Sequence, residues 1–233
     1  LALRRSEQLS AAENVQHVQK EIQAVCERVN RSPEEINIIA VTKTVGLDTT
    51  QEVLAAGIRH IGENRNEGFL QKYEKIKDGA VWHFIGSIQT RKVRDVINKL
   101  DYLHSLDRLS LAAEIQKRAE KQVKCFVQVN TSFEEAKHGL HPDEVLSFIQ
   151  ELASYNKIHV VGLMTMAPYT DDEQQIRTCF RMLKTLQQDV QALNLPYAPC
   201  TELSMGMSND YKIAIEEGAT YIRLGTILVG NEK

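Results

Sequence analysis

Three groups of residues in this 233-residue chain have types and spacing that could do chemistry: one lysine, one serine-containing glycine turn and one arginine. Lys43 follows the apolar run Ile38-Ile39-Ala40-Val41-Thr42, so its stem leads out of a buried strand. In partly desolvated surroundings an ammonium gives up its proton more readily, and the neutral amine is the form that attacks an aldehyde or ketone to give a Schiff base. A lysine that only snorkels at a strand end has the same local sequence. The segment SMGMSNDYKIAIEEG begins at Ser204. Gly206 lets the backbone approach a ligand, Ser208 suits an N-cap, and a helix starting at Asn209 would offer free N–H groups to an anion. Arg223-Leu224-Gly225-Thr226 adds a second glycine turn with a hydroxyl.

These residues need a scaffold that brings them together, and the chain supplies one repeating phrase. Apolar runs at 36–43, 59–63, 81–86, 102–106, 123–130, 158–166, 200–205 and 221–226 alternate with segments of helical period. Short apolar runs bounded by turn residues are the pattern of buried parallel strands. Asp48 with Gln51 reads as a capping box, Gly57 as a left-handed stop, Asp107 as a cap, Pro142 as a first-turn residue, and Asp171 or Asp172 as the opening of a long helix. One helix, over about residues 6–30, precedes the first strand. AAGIRHIGEN is echoed by EEGATYIRLGT, with helix, glycine and strand at the same offsets. Eight strand–helix units predict an α/β fold, a single (β/α)8 TIM barrel spanning 1–233, rather than an open doubly wound sheet. No GxGxxG follows the first strand, which removes the usual dinucleotide reading.

In such a barrel the functional groups come from the carboxyl ends of the strands, and phosphate is commonly held by the loops after strands seven and eight. The SMGMS and RLGT loops occupy those places. A phosphate cradle with a reactive lysine suits a phosphosugar or pyridoxal 5′-phosphate. Arg223 favours the second, because a guanidinium can donate to a pyridine nitrogen and, keeping its own charge, would leave that nitrogen unprotonated and the ring a weaker electron sink.

AVTKT around Lys43, IGENRNE, WHFIGSIQTRK, LHSLDR, VQVNTSFEEAKHG, GLMTMAP, SMGMSNDY and YIRLGTILVG together resemble the pyridoxal phosphate homeostasis proteins, single-domain relatives of the alanine racemase N-terminal barrel. The resemblance runs from the first strand nearly to the last residue. It implies a cytoplasmic protein that holds pyridoxal 5′-phosphate as an internal aldimine on Lys43 and takes part in balancing vitamin B6 and amino-acid pools without established catalysis. It places the phosphate contact at Ser208, within a motif that includes Ser204 and Gly206, with Gly225 and Thr226 completing the cradle. Arg223 falls on the pyridine-nitrogen position, and Asn64 and Met164 on positions lining the cofactor pocket. Asn66 departs from the family's usual glutamine, a change at the pocket rim. PLP-dependent apoenzymes are the implied partners. The alternative is a weak alanine racemase with Tyr169 or Tyr211 as second base; with three residues after Gly230 and no sign of the racemase β-domain, the expectation is an exposed cofactor and little racemisation.

Composition narrows the rest. Lys plus Arg number 28 against 31 Asp plus Glu, without the basic excess of a nucleic-acid footprint; Arg91, Lys92 and Arg94 read as a solvated helix face. No run approaches a membrane span, and the N-terminal stretch turns polar too early for a secretory signal. Cys26, Cys125, Cys179 and Cys200 lack metal or redox spacing and read as reduced thiols. His83 reads as a hydrogen-bonded core residue, and His60 and His159 carry no role. Glu134, Glu135 and Lys137 belong to a loop over the mouth. No seam suggests an obligate dimer, so a monomer is expected.

Overall fold

The computed structural model describes residues 9–230, so residues 6–8 of the expected first helix and the tail Asn231 to Lys233 lie outside the described residues. In chain order the elements are α1 (Ala11–Arg28), β1 (Asn37–Val41), α2 (Leu47–Ala55), β2 (His60–Glu63), α3 (Asn66–Ile76), β3 (Val81–Phe84), α4 (Val93–Val96), β4 (Tyr102–Leu106), α5 (Leu109–Arg118), β5 (Val123–Gln128), α6 (Val145–Glu151), β6 (Ile158–Met164), α7 (Glu173–Ala192), β7 (Glu202–Ser204), α8 (Tyr211–Glu216), β8 (Tyr221–Leu224) and α9 (Thr226–Val229). The eight strands close into one parallel barrel in sequence order, as expected. Side chains alternate along each strand, because successive Cβ atoms point to opposite faces. On β1, Ile39 joins a small cluster with Phe126, Val161, Met164 and Tyr221 inside the barrel, while Ala40 and Ile38 join the larger core under the helices.

The helices are amphipathic around that larger core. Asp172 caps α7 by accepting from Gln174 N and Gln175 N, and Ile176, Phe180, Leu183, Gln187 and Val190 are buried at helical spacing. Ser10 and Glu13 form a capping box on α1. That helix packs on α2, α8 and α9, where Asn14 donates to Leu228 O at 3.0 Å and Arg28 pairs with Glu216 at 2.8 Å. The echoed phrases match: Gly57 and Gly218 adopt φ +103° and +107° before β2 and β8.

Three starts differ from the sequence expectation. The α2 cap is Gly46, in extended conformation, and Asp48 sits inside the first turn. Arg108, not Asp107, precedes α5, because the Asp107 carboxylate accepts from Arg108 Nη1 at 3.0 Å. The helix expected from Asn209 begins at Tyr211; Asp210 Oδ1 accepts from Met207 N at 2.7 Å, which holds Ser208–Asp210 as a turn. The basic stretch at 90–96 is one short 3-10 turn running into α4.

Gly162 fixes how closely β6 and β7 approach, since a Cβ there would meet Glu202 O at 2.1 Å. The next junction is slighter. β7 is three residues long and shares one register pair with β8, Ser204 with Tyr221, supplemented by the backbone bonds Met205 N to Tyr221 O, Thr220 N to Leu203 O and Arg223 N to Gly206 O. Among the described residues no helix is long and apolar enough to cross a membrane.

Candidate functional site

A cavity of about 390 Å³ opens at the carboxyl ends of the strands, and Lys43, Asn64, Ser208, Arg223, Gly225 and Thr226 line it together with Val41, Ile85, Gln128, His138 and Met166. A volume of that order suits a small organic ligand. Lys43 is the one lysine in this lining. It follows β1 by two residues, in a turn, and its side chain is exposed rather than desolvated, so the sequence expectation of a partly buried amine is corrected: the strand ends at Val41 and the turn lifts Lys43 to the lip.

A buried ion pair holds that turn from behind. Lys72 Nζ donates to Thr42 O at 2.6 Å and to Glu63 Oε1 at 2.5 Å, and Thr42 Oγ1 donates to the same Glu63 oxygen at 2.6 Å. Lys72 is 7% exposed and Glu63 1%. β2 and α3 thereby clamp the residue next to Lys43.

On the opposite side of the mouth the two glycine turns meet. Gly206 has φ +102°, and a Cβ there would lie 2.6 Å from Ala214 Cβ, so the SMGMS turn presses on α8 in a way only glycine allows. Among the described residues the Ser208 and Thr226 hydroxyls have no hydrogen-bond partner, although both line the cavity. Unpartnered hydroxyls beside glycine turns suit an anion's oxygens. Losing one such bond to a charged oxygen costs about tenfold in affinity. Ser208→Ala and Thr226→Val are each expected to weaken binding of a phosphorylated ligand by that factor, read by calorimetric titration; unchanged affinity in both would remove the cradle.

Arg223 forms the floor. It is 3% exposed, donates through Nη1 to Ser204 Oγ at 2.6 Å and through Nη2 to Thr165 O at 3.0 Å, and among the described residues makes no ion pair with a carboxylate. Burial pulls it down to about 10, partly offset by Asp210, so it stays charged near neutral pH. Asp210 is itself pushed up by burial, against the Met207 N–H and Arg223. The cavity floor therefore presents a cation whose partners are neutral oxygens.

Met164, Ser204 and Gly206, expected around the ligand, are placed one layer away. Met164 is fully buried in the barrel interior, and Met166, two residues on, takes its place in the lining: β6 continues inward through Met164, and the chain turns outward only after it. Ser204 is buried beneath Arg223, and Gly206 shapes the turn. Tyr169 is 92% exposed and Tyr211 3% exposed, and neither lines this cavity. The loop carrying Glu134, Glu135 and Lys137 is tied down by Asn130 Nδ2 to Glu134 O at 2.9 Å, Lys137 Nζ to Ala167 O at 3.2 Å and a Lys137–Glu134 ion pair, and it carries His138 into the lining.

Sequence reasoning gave no site role to His104 and none to Lys72. His83 is fully buried and hydrogen-bonded, as expected of a core histidine, but its partners are His60 and His104. The available signal was the alternation on β2, β3 and β4, which sends all three imidazoles to one face. Burial first, then the neighbouring charges of His104, His60 and Lys124 for His83 and of Arg223 and His60 for His104, holds both well below the ordinary histidine range. Both are neutral when folded, whereas the unfolded chain protonates them near 6.5. The unfolded state thus gains protons first as pH falls, and stability present above about 6.5 is lost below it. From pH 6.5 to 5.5 the two together are expected to remove about 2 kcal/mol, measured by urea unfolding; a flat profile would contradict their burial.

All four cysteines are buried and free, and burial pushes Cys200 up to about 12. Among the described residues no group of histidines, cysteines and acids is arranged to hold a metal.

The profile of the alanine racemase N-terminal domain family matches residues 14–233. A pyridoxal phosphate homeostasis protein of Aquifex aeolicus is 39% identical over 232 residues, 97% of this chain and 100% of that protein. PipY of Synechococcus elongatus, solved with PLP bound, superposes with a TM-score of 0.82 at 29% identity, covering 95% of this chain and 100% of PipY. The alanine racemase of Corynebacterium glutamicum has the same barrel, with a TM-score of 0.74 at 12% identity, and this chain covers 62% of it.

Proposed function

Because the chain belongs to the pyridoxal phosphate homeostasis protein family, whose barrel is of the alanine racemase N-terminal type, we propose that it is a single-domain binder of pyridoxal 5′-phosphate, held covalently through Lys43 Nζ, that keeps the vitamin available to PLP-dependent enzymes and so steadies amino-acid pools. The observation that carries this reading is one cavity lined by an exposed lysine, two unpartnered hydroxyls on glycine turns and a buried arginine.

The residues suit the group part by part. Ser208 and Thr226 with Gly225 would hold the phosphate, Lys43 would take the aldehyde, and Arg223 would donate to the pyridine nitrogen and keep it unprotonated. When bound, the cofactor supplies an electron sink for chemistry at an amino acid's α-carbon; Arg223 subdues that property. Asn64 and Met166 line the same cavity and would border the ring.

A racemase needs two bases on opposite faces of its substrate. Neither Tyr169 nor Tyr211 is in the lining, where the titratable groups are Lys43, His138 and Arg223. Holding and releasing cofactor, without turnover, is the reading we adopt; racemisation on this lining would need His138 as the second base in place of either tyrosine. Four free buried thiols suit the reducing cytoplasm.

The test is borohydride reduction of PLP-loaded protein followed by peptide mass spectrometry, with Lys43→Ala as control. The expected result is a pyridoxyl adduct on the Lys43 peptide alone. An unmodified Lys43 after incubation with excess PLP would overturn the reading. Exchange of the alanine α-hydrogen in heavy water at turnover rates would replace the binder by the racemase.

A further inference from the structure

One set of polar side chains runs through the barrel to the floor of the cavity from below. His60 Nδ1 is 2.8 Å from His83 Nε2, His83 Nδ1 is 2.8 Å from His104 Nε2, and His104 Nδ1 is 2.9 Å from Ser204 Oγ. Ser204 Oγ accepts from Arg223 Nη1 at 2.6 Å. His83, His104 and Ser204 are fully enclosed, while His60, the first residue of β2, is half-buried at the opposite end from the mouth.

The arginine gives this chain a direction. A guanidinium has donors and no acceptor, so Ser204 Oγ must receive it, and the Ser204 proton has one remaining contact, His104 Nδ1. With Nδ1 accepting, neutral His104 carries its proton on Nε2 and donates to His83 Nδ1, and the same step passes from His83 to His60. In the opposite order every Nδ1 would be protonated. Ser204 would then face two donors with no described acceptor for its own proton, a buried loss of about 1–3 kcal/mol. The neutrality that burial imposes on His83 and His104 is the condition the chain requires.

We propose that Arg223 locks His60, His83 and His104 in the Nε2–H tautomer, and that Ser204 and His104 are in return positioning residues that aim the guanidinium at the cofactor ring. A carboxylate in their place would neutralise Arg223. Oriented neutral dipoles hold it while leaving its charge to the ligand. The tautomers follow from the hydrogen bonds alone; the aiming role rests on the PLP reading.

The experiment is long-range 1H–15N correlation on histidine-labelled, cofactor-free protein at pH 7.5, paired with PLP titration. In the native chain all three imidazoles are expected to show a protonated Nε2 and a bare Nδ1, and Arg223→Met is expected to release His104 into the other tautomer or a mixture. His104→Leu is expected to weaken PLP binding by about tenfold, the scale of one charge-assisted hydrogen bond. His104→Gln, whose amide can accept from Ser204 and donate to His83, recovers most of that loss. Ser204→Ala gives the same two readouts should the leucine variant not fold. An Nδ1–H or doubly protonated His83 or His104 in the native chain would overturn the direction. Correct tautomers with native affinity in both His104→Leu and Ser204→Ala would overturn the aiming role. Native protein that takes up no PLP would instead overturn the functional reading and the aiming role with it, leaving the tautomers decided by the spectrum.

Discussion

Lys43→Ala is expected to bind PLP at least about 100-fold more weakly than the native chain, a loss of about 2.7 kcal/mol. The reason lies in what remains. Ser208, Thr226 and Arg223 stand on other elements and keep their places, so phosphate and ring contacts persist and binding weakens without vanishing. The covalent contribution disappears, because Lys43 is the one primary amine in the lining. The nearest competitor by sequence motif, Lys137, is engaged by Glu134 and Ala167 O. Titration followed by absorbance and by calorimetry separates the two contributions. Affinity within about threefold of native would show that the amine is not what retains the ligand.

The second large effect is on folding. Lys72→Met is expected to destabilise the protein by about 3–5 kcal/mol, because it leaves the Glu63 carboxylate buried with, among the described residues, the Thr42 hydroxyl as its remaining partner. Glu63→Leu combined with Lys72→Met removes both charges and is expected to recover most of that loss, since a buried pair replaced by apolar groups is often near neutral. The double variant isolates a further consequence. Thr42 O loses its Lys72 donor in it, so the turn bearing Lys43 loosens while the fold stands, and PLP affinity falls although stability returns. Urea unfolding of the three variants measures the first part, and PLP titration of the double variant the second. A double variant as unstable as the single would deny that the unpaired charge is the cause.

The barrel was legible because its signal is repeated: eight apolar runs at regular spacing leave few architectures. The site loops were legible for the same reason, since strand ends seven and eight locate SMGMS and RLGT once the strands are counted. What sequence missed was set by side-chain direction over long separations. Met164 and Met166 differ by two residues and by whether β6 has ended, which periodicity does not resolve. Lys72 reads as one charge on an amphipathic helix, and only the approach of β2 to α3 turns it toward Glu63. The helix starts slipped by one or two residues because Gly46 and the Asp210 to Met207 bond compete with the nearest acidic cap. His104 and Ser204 are 100 residues apart, and no local pattern announces their meeting. Placing Asp172, Pro142 and Gly57 worked where cap chemistry is local.

The single register pair between β7 and β8 is the fewest between neighbouring strands of the barrel. The two glycine turns proposed to hold phosphate follow these two strands, so a ligand gripping Ser208 and Thr226 together would act as a staple across this join. Occupancy would then be registered as breathing rather than as shape. Empty protein is expected to exchange the amide hydrogens of Met205, Thr220 and Arg223 with solvent faster than loaded protein, a difference that hydrogen exchange would read.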